Sequence, residues 1–236
     1  MDIVYLIKKT DKNEELKYSL RSLSNIPHNK VFIVGDLPDF INTNTVFYIP
    51  TEKLDTRYRS TTNNLVRACL CKEISENFIY MNDDFFILNK ITNTEIELNL
   101  DRGYLVDLVC YYHFIHKNLT NYDKLAEQTL EDLKKLGFEH PKSFELHTPM
   151  IINKEKFLSI LDKINTEALH CSKRSLYGNY FIKDSKTIED VKVLSKHTFY
   201  PNVQGKQTLM SCSDSSYPKV KDFLQQKFPN KSIYEK

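Results

Sequence analysis

The chain has 236 residues, enough for one α/β domain, and 41% of them are hydrophobic and 27% charged. Its 5 glycines are too few for a phosphate-binding loop built from repeated glycines, and a formal net charge of +2 does not favour nucleic-acid binding. The 5 cysteines fit no zinc-binding spacing, and no apolar run is long enough to span a membrane. We therefore expect a soluble protein of the reducing cytoplasm.

Strands and helices are predicted to alternate over the first third of the chain. Short apolar runs, typical of strands buried in a sheet, are found at Ile3–Ile7, Val31–Val34, Thr45–Ile49 and Phe78–Met81. One helix is predicted after an Asp11 cap and continues through Leu23. Another is capped by Thr61 or Thr62 and ends near Ser75. This alternation predicts an α/β fold with a mostly parallel central sheet flanked by helices.

Two further helices are predicted in the second half. Leucines recur at helical spacing within Leu119–Gly137, which predicts an amphipathic helix that ends at Gly137. Glu155–Ile164 is the second helix. No internal repeat and no break in composition divides the chain, so we expect a single domain over residues 1–236.

Two adjacent carboxylates, Asp83 and Asp84, directly follow the last predicted strand. Ligands of open α/β sheets bind beyond the carboxyl ends of the strands, so a site is expected here. Apolar residues flank the pair, and carboxylates in such surroundings are costly unless a partner compensates them. Mg²⁺ or Mn²⁺ suits oxygen ligands and could join the carboxylates to the pyrophosphate of a sugar nucleotide. The alternative interpretation is a turn with solvated acids.

Several segments resemble the Stealth family of hexose-1-phosphate transferases, which includes capsular polysaccharide phosphotransferases and GlcNAc-1-phosphotransferase. Similarity to the second conserved region of that family is carried by Asn13–Leu23, Lys30–Asp36, Pro38–Asn42 and Phe78–Phe86. The other conserved regions resemble, in order, Asp2–Tyr5, His147–Lys154 with Arg174 after it, and Ser213–Asp214 with Phe228–Ser232. The order of the regions is preserved, and the resemblance touches most of the chain.

The resemblance implies a GT-A-like nucleotide-diphosphosugar transferase fold with a UDP-sugar-like donor and a divalent metal ion, Mg²⁺ or Mn²⁺. The metal ligands it implies are Asp83, Asp84 and Asp214, and Asp214 could instead orient His147. It also implies that Asp84 acts in catalysis, with His147 as general base on the acceptor hydroxyl. Arg174 either clamps a phosphate or forms a surface salt bridge.

Four candidate donor-binding residues lie in the matched segments: Asp2, Tyr5, Arg21 and Asn82. Lys206, outside those segments, is a further candidate that could bind the same pyrophosphate. Arg21 either contacts the donor or pairs with an acid, and the amide of Asn82 can fix the loop that carries the acid pair. Residues 1–90 are expected to form the donor- and metal-binding half of the domain. Residues 91–236 would form the acceptor half and the C-terminal closing segment.

The sequence therefore predicts a metal-dependent enzyme that uses a nucleotide-sugar donor. It would move a sugar-1-phosphate or a glycosyl unit to the hydroxyl of a glycan or another acceptor. One alternative is a phage-type DNA-base glycosyltransferase, which the modest basic bias does not favour. An alternative of another class is a non-catalytic sugar- or nucleotide-binding module.

Overall fold

The structure is a computed structural model that describes residues 1–8, 13–161, 172–196 and 198–236. The strands are β1 (Asp2–Ile7), β2 (Val31–Gly35), β3 (Val46–Pro50), β4 (Asn77–Met81), β5 (Phe85–Ile87), β6 (Leu100–Asp101), β7 (Met150–Asn153), β8 (Lys186–Thr187) and β9 (Leu209–Ser211). The helices are α1 (Glu14–Ser22), α2 (Arg57–Leu70), α3 (Thr94–Glu97), α4 (Leu105–Ile115), α5 (Asn121–Lys135), α6 (Lys154–Leu161), α7 (Lys173–Phe181), α8 (Pro201–Gln204) and α9 (Tyr217–Lys227).

The central sheet has the strand order β3-β2-β1-β4-β7. Its first four strands run parallel to their neighbours, and β7 pairs antiparallel with β4 at one edge. Every residue of β1 and β2 is buried, which is why these strands are continuous apolar runs in the sequence. The prediction of a mixed α/β fold with a mostly parallel central sheet is confirmed.

Helix α1 begins after Asn13, whose side-chain oxygen accepts a hydrogen bond of 3.3 Å from the amide of Leu16. The predicted cap, Asp11, lies outside the described residues, and placing the cap there was wrong because Asn13 satisfies the first turn. Leu16 and Leu20 are buried, as their helical spacing predicted. Asn13 also bears on the candidate functional site, because its side chain has a second hydrogen-bond partner.

Helix α2 begins and ends earlier than predicted. The Thr56 hydroxyl accepts a hydrogen bond of 3.2 Å from the amide of Arg59, so Thr56 is the cap. Thr61 and Thr62 lie inside the helix, where both hydroxyls donate to the carbonyl oxygen of Tyr58, at 3.1 and 2.9 Å. A hydroxyl bonded back to the preceding turn is compatible with a helix interior. The predicted caps were therefore wrong.

The chain divides into two compact units. The first consists of Met1–Leu98, His147–Lys154 and Val191–Lys236, and the second of Asn99–Leu146 and Glu155–Asp190. The central sheet, with β5, β9 and α9, belongs to the first unit. The predicted division into residues 1–90 and residues 91–236 of one domain stays a prediction.

The second unit contains the predicted amphipathic helix. In α5, Thr120 and Asp123 form a reciprocal capping box, and Gly137 follows the helix with a φ of 93°. Helix α6 matches the start of the other predicted helix, whose residues 162–164 lie outside the described ranges. Both predicted helices of the second half are therefore present.

Two further features concern membrane crossing and the state of the cysteines. Within the described ranges, no helix is both long and apolar enough to cross a bilayer. Cys69, Cys71, Cys110 and Cys212 are free thiols, and Cys171 lies outside those ranges. The cytoplasmic location stays a prediction.

Candidate functional site

The central sheet has a topological switch point between β1 and β4. The connection from β1 leads to β2 on one side, whereas β4 lies on the other side of β1. A crevice opens beyond the carboxyl ends of the strands at such a point and is the usual ligand site of open α/β sheets. The register pairs Tyr5 with Met81, so the two residues after Asn82 lie at this crevice. These residues are Asp83 and Asp84.

The carboxylate of Asp83 is tied to the start of α1. The side-chain amide of Asn13 donates a hydrogen bond of 2.8 Å to Asp83 Oδ2 while its oxygen caps the helix. Burial, with the adjacent negative charge of Asp84, raises the pKa of Asp83 to about 6, although the Asn13 hydrogen bond and Lys8 act in the opposite direction. Two carboxylates in this setting favour the approach of a cation.

A lysine that the sequence did not indicate lies beside Asp84. The distance from Lys192 Nζ to Asp84 Oδ2 is 3.9 Å, and each side chain is 19% exposed. Lys192 forms a parallel bridge with Ser211 in β9, and β9 pairs with β5, which begins directly after Asp84. Strand pairing across about half the chain therefore brings this cation to the acid pair.

Asp214 follows β9 and lies on the same side of the sheet as the acid pair, at the carboxyl ends of the parallel strands. Phe85 lies opposite Ser211 in the antiparallel β5–β9 pair, so residues that follow β9 lie near those that precede β5. Asp214 is 93% exposed, and its Oδ2 lies 3.8 Å from Nζ of Lys8, which follows β1. The sequence predicted Asp214 as a metal ligand, and the structure places it at the rim with a lysine partner.

Glu15, in the first turn of α1, is a further acid that was not selected as a site residue. Burial raises its pKa, and the negative charges of Asp83, Asp214 and Asp84 raise it further. The charges of the three aspartates therefore act on the carboxyl of Glu15. A signal for Glu15 was present in its position directly after the Asn13 cap, but a glutamate in a first helical turn is common for other reasons.

His147 reaches this edge because β7 runs antiparallel. Tyr80, near the end of β4, pairs with Met150 at the start of β7, so the residues before β7 lie at the carboxyl edge. The ring of His147 is 6.5 Å from that of Phe85 between centroids, at an interplanar angle of 85°. The candidate general base therefore lies beside the residue that follows Asp84.

The acid pair is suited to a divalent cation that is coordinated both by the protein and by a bound substrate. In the part of the chain that the structure describes, no three His, Cys, Asp or Glu side chains are grouped so that they could hold a metal ion. Mg²⁺, however, is commonly bound by one or two carboxylates, with waters and substrate phosphates as its other ligands. Two adjacent carboxylates, one with a raised pKa, fit that mode of binding.

Tyr5 and Asp2 have structural partners. The Tyr5 hydroxyl lies 2.9 Å from the Ser19 hydroxyl, which donates to the carbonyl oxygen of Phe85 at 2.5 Å. Tyr5 thus supports the residues beneath the acid pair. Asp2 lies at the opposite, amino end of β1, where its carboxylate accepts from the amides of Lys30 and Ser75. The structure does not bring Asp2 to the acid pair.

Arg21 lies at the other end of α1 from Asn13. Its Nε and Nη2 donate to the two carboxylate oxygens of Glu235 at 2.9 and 2.8 Å, and Nη1 donates to the carbonyl oxygen of Phe228 at 3.0 Å. The sequence left open whether Arg21 contacts the donor or pairs with an acid, and in the structure Arg21 pairs with an acid. Lys206, which follows α8, has an exposed side chain.

Arg174 belongs to the second unit. It lies near the start of α7 and is buried, and its Nε donates a hydrogen bond of 3.0 Å to the carbonyl oxygen of Phe144. It is therefore buried rather than at the surface. The phosphate-clamping role stays a prediction.

A cavity of about 600 Å³ on the first unit is separate from these residues. It is lined by one face of α9 together with Lys196, Thr198, Phe199 and Pro201. None of the predicted site residues lines it. The candidate site is therefore defined by the strand ends rather than by this cavity.

No family model and no curated protein sequence matches this chain. Among solved structures, it is similar to the glycosyltransferase GlyE of Streptococcus pneumoniae TIGR4, with a TM-score of 0.38 and 8% identity over 79% of this chain and 44% of that one. For the apo form of GlyE, the TM-score is 0.34 and the identity is 12%, over 80% of this chain and 44% of that one. The chain thus spans less than half the length of these glycosyltransferase chains. At these scores the similarity does not define the function.

Proposed function

We propose that this protein is a transferase with a GT-A-like fold that uses a nucleotide-sugar donor. It moves a sugar-1-phosphate or a glycosyl unit to an acceptor hydroxyl. The observation that carries the proposal is the position of the acid pair, since Asp83 and Asp84 follow β4 at the switch point of the sheet.

Asp83 and Asp84 would hold a divalent cation, Mg²⁺ or Mn²⁺. When bound, the cation would neutralise the charge that develops on the departing phosphate. Asn13 would fix the orientation of Asp83 through its 2.8 Å hydrogen bond. Asp214 would act at the rim, because it is exposed and paired with Lys8.

His147 is the proposed acceptor of the proton from the acceptor hydroxyl. Its half-buried ring lies next to Phe85, at the edge that carries the acid pair. A ring nitrogen of a neutral imidazole can accept such a proton. Attack by the hydroxyl at phosphorus would release a nucleoside monophosphate, and attack at the anomeric carbon would release the diphosphate.

The donor and the bond that breaks can be identified together. The protein is incubated with Mn²⁺ and a panel of UDP-sugars, with a glycan mixture as acceptor, and the released nucleotide is separated by chromatography. Release of UMP would indicate sugar-phosphate transfer, and release of UDP would indicate glycosyl transfer.

Asp83→Asn and Asp84→Asn test the role of the acid pair. Each substitution removes one of two adjacent like charges at nearly constant volume, so folding should persist while turnover falls by at least about 100-fold. Asp55→Asn is the matched control, because Asp55 lies in an exposed i,i+4 pair with Arg59. Full activity in both site variants would refute the assignment of the acid pair.

A non-catalytic sugar- or nucleotide-binding module is the second candidate. It is favoured by the partners of Arg21, a candidate donor-binding residue whose guanidinium instead binds Glu235 and the carbonyl oxygen of Phe228. Binding of UDP without release of nucleotide from any UDP-sugar would support this candidate over the transferase.

A further inference from the structure

Lys192 is held beside Asp84 by the backbone on both sides of it. The amide of Val193 donates to the carbonyl oxygen of Ser211 at 2.8 Å, and the amide of Ser211 donates to the carbonyl oxygen of Val191 at 3.3 Å. Residues 191–193 therefore form a parallel bridge to β9, which pairs with β5 on its other side. Because β5 starts directly after Asp84, the position of Lys192 relative to the acid pair is fixed by strand pairing.

Around the acid pair, carboxylates outnumber the lysines that lie within ion-pair distance of them. Four carboxylates interact there, those of Glu15, Asp83, Asp84 and Asp214. Two lysines lie within ion-pair distance of members of this group, Lys8 at Asp214 and Lys192 at Asp84. Of the two pairs, Lys192–Asp84 is the better shielded from water, because both of its side chains are 19% exposed. The exposed Lys8–Asp214 pair is weakened more by salt.

We infer that Lys192 is the counter-ion of Asp84 in the donor-free protein and transfers to the donor diphosphate when a divalent cation binds the acid pair. The inference rests on the proposed function. A lysine ammonium on its flexible stem can turn from a carboxylate to a phosphate without the fixed geometry that a guanidinium requires.

Two opposite effects on binding follow. In the absence of a nucleotide, a divalent cation must compete with Lys192 for Asp84, so the cation alone binds weakly. In its presence, the diphosphate offers Lys192 a new partner and completes the coordination of the cation. The cation and the nucleotide diphosphate should therefore bind together rather than one after the other.

Lys192→Met removes the charge and keeps most of the apolar stem. Lys192→Gln is a second neutral variant in case the methionine variant does not fold. Lys30→Met is the control with the same change in net charge, because Lys30 is exposed at the amino end of the sheet, with Nζ 5.2 Å from the centroid of the Phe47 ring. Binding of Mn²⁺ alone is followed by electron paramagnetic resonance, and binding of UDP at saturating Mn²⁺ by calorimetry.

The expected result is a shift of the two affinities in opposite directions. Without UDP, the Lys192 variants should bind Mn²⁺ at least about fivefold more tightly than the wild type, and with Mn²⁺ they should bind UDP at least about fivefold more weakly. Lys30→Met should match the wild type in both. A merely structural role for Lys192 would weaken both affinities or neither.

Unchanged or weaker binding of Mn²⁺ by the Lys192 variants would overturn the inference. Tighter Mn²⁺ binding with unchanged UDP binding would also overturn it, because Lys192 would then neutralise Asp84 without moving to the diphosphate. A wild-type protein that binds neither Mn²⁺ nor Mn²⁺ with UDP would instead refute the proposed function. The two failures are therefore distinguishable.

Discussion

Arg21→Met should destabilise the protein by removing one partner of a buried ion pair. Arg21 and Glu235 form two hydrogen bonds, and their side chains are 13% and 3% exposed. Loss of one member of a buried pair costs about 3–5 kcal/mol, because the other charge stays buried without its counter-ion. Glu235 would keep hydrogen bonds from the amide and hydroxyl of Ser232, at 2.9 and 3.1 Å. We therefore expect the lower end of that range, about 3 kcal/mol.

The assay is urea unfolding at pH 7, followed by far-ultraviolet circular dichroism. Arg59→Met is the control, since Arg59 lies 2.9 Å from Asp55 in a pair whose side chains are 49% and 57% exposed. Such an exposed i,i+4 pair contributes about 0.5 kcal/mol or less. If Arg21→Met costs no more than Arg59→Met but lowers the affinity for UDP, Arg21 contacts the donor and the structural reasoning is refuted.

Three other predictions concern the Arg21–Glu235 pair, two glycines and Asn13. Burial raises the pKa of Glu235, but its hydrogen bonds from arginine and serine leave it lowered, so the stability that the pair provides is complete above the unfolded pKa of roughly 4.3. The gap between the wild type and the arginine variant should therefore narrow in unfolding curves as the pH falls below the unfolded pKa and through the lowered pKa of Glu235 in the folded protein. Gly35→Ala should cost more than about 3 kcal/mol, because φ is +119° and an added Cβ would lie 2.1 Å from a carbonyl oxygen of β1. Gly137→Ala, at φ +93° with no atom within 4 Å of the added Cβ, should cost only about 1–2 kcal/mol; equal losses in urea unfolding would contradict the close-contact argument. Asn13→Asp keeps a good capping residue but replaces the amide donor with a negative charge, so the pKa of Asp83 should rise above about 6. A carboxyl carbon titration by nuclear magnetic resonance would show no rise if Asn13 does not contact Asp83.

The parts of the fold that the sequence predicted are those with a local signal. β1, β2 and β4 are apolar runs because both of their faces are buried. The start of α2 was missed because a threonine hydroxyl can either cap a helix or bond back to the preceding turn, and only the three-dimensional structure shows which it does. The antiparallel direction of β7 was not predicted, since direction depends on the route of the chain rather than on composition.

The residues of the candidate site likewise differ in whether the local sequence indicates their role. Asp83 and Asp84 could be selected because they adjoin a strand and apolar residues, all within one short segment. Lys192 could not, because its distance to Asp84 is set by the β5–β9 pairing, which joins residues far apart in sequence. The two roles considered for Arg21 were equally compatible with the sequence, since nothing local indicates that Glu235 would be its partner.

The three-part construction of the first unit has a consequence for synthesis on the ribosome. β1 to β4 come from the first segment of that unit, whereas β7, which covers the outer edge of β4, comes from the second. At about 5–20 residues per second, roughly 70 residues separate the completion of β4 from the arrival of β7, which takes about 4–14 s. A nascent chain that had already paired β1 with β4 would display an open apolar strand edge for that period. Slowed translation over residues 82–149 should therefore increase aggregation or chaperone capture of the nascent chain, even though the finished protein has that edge covered.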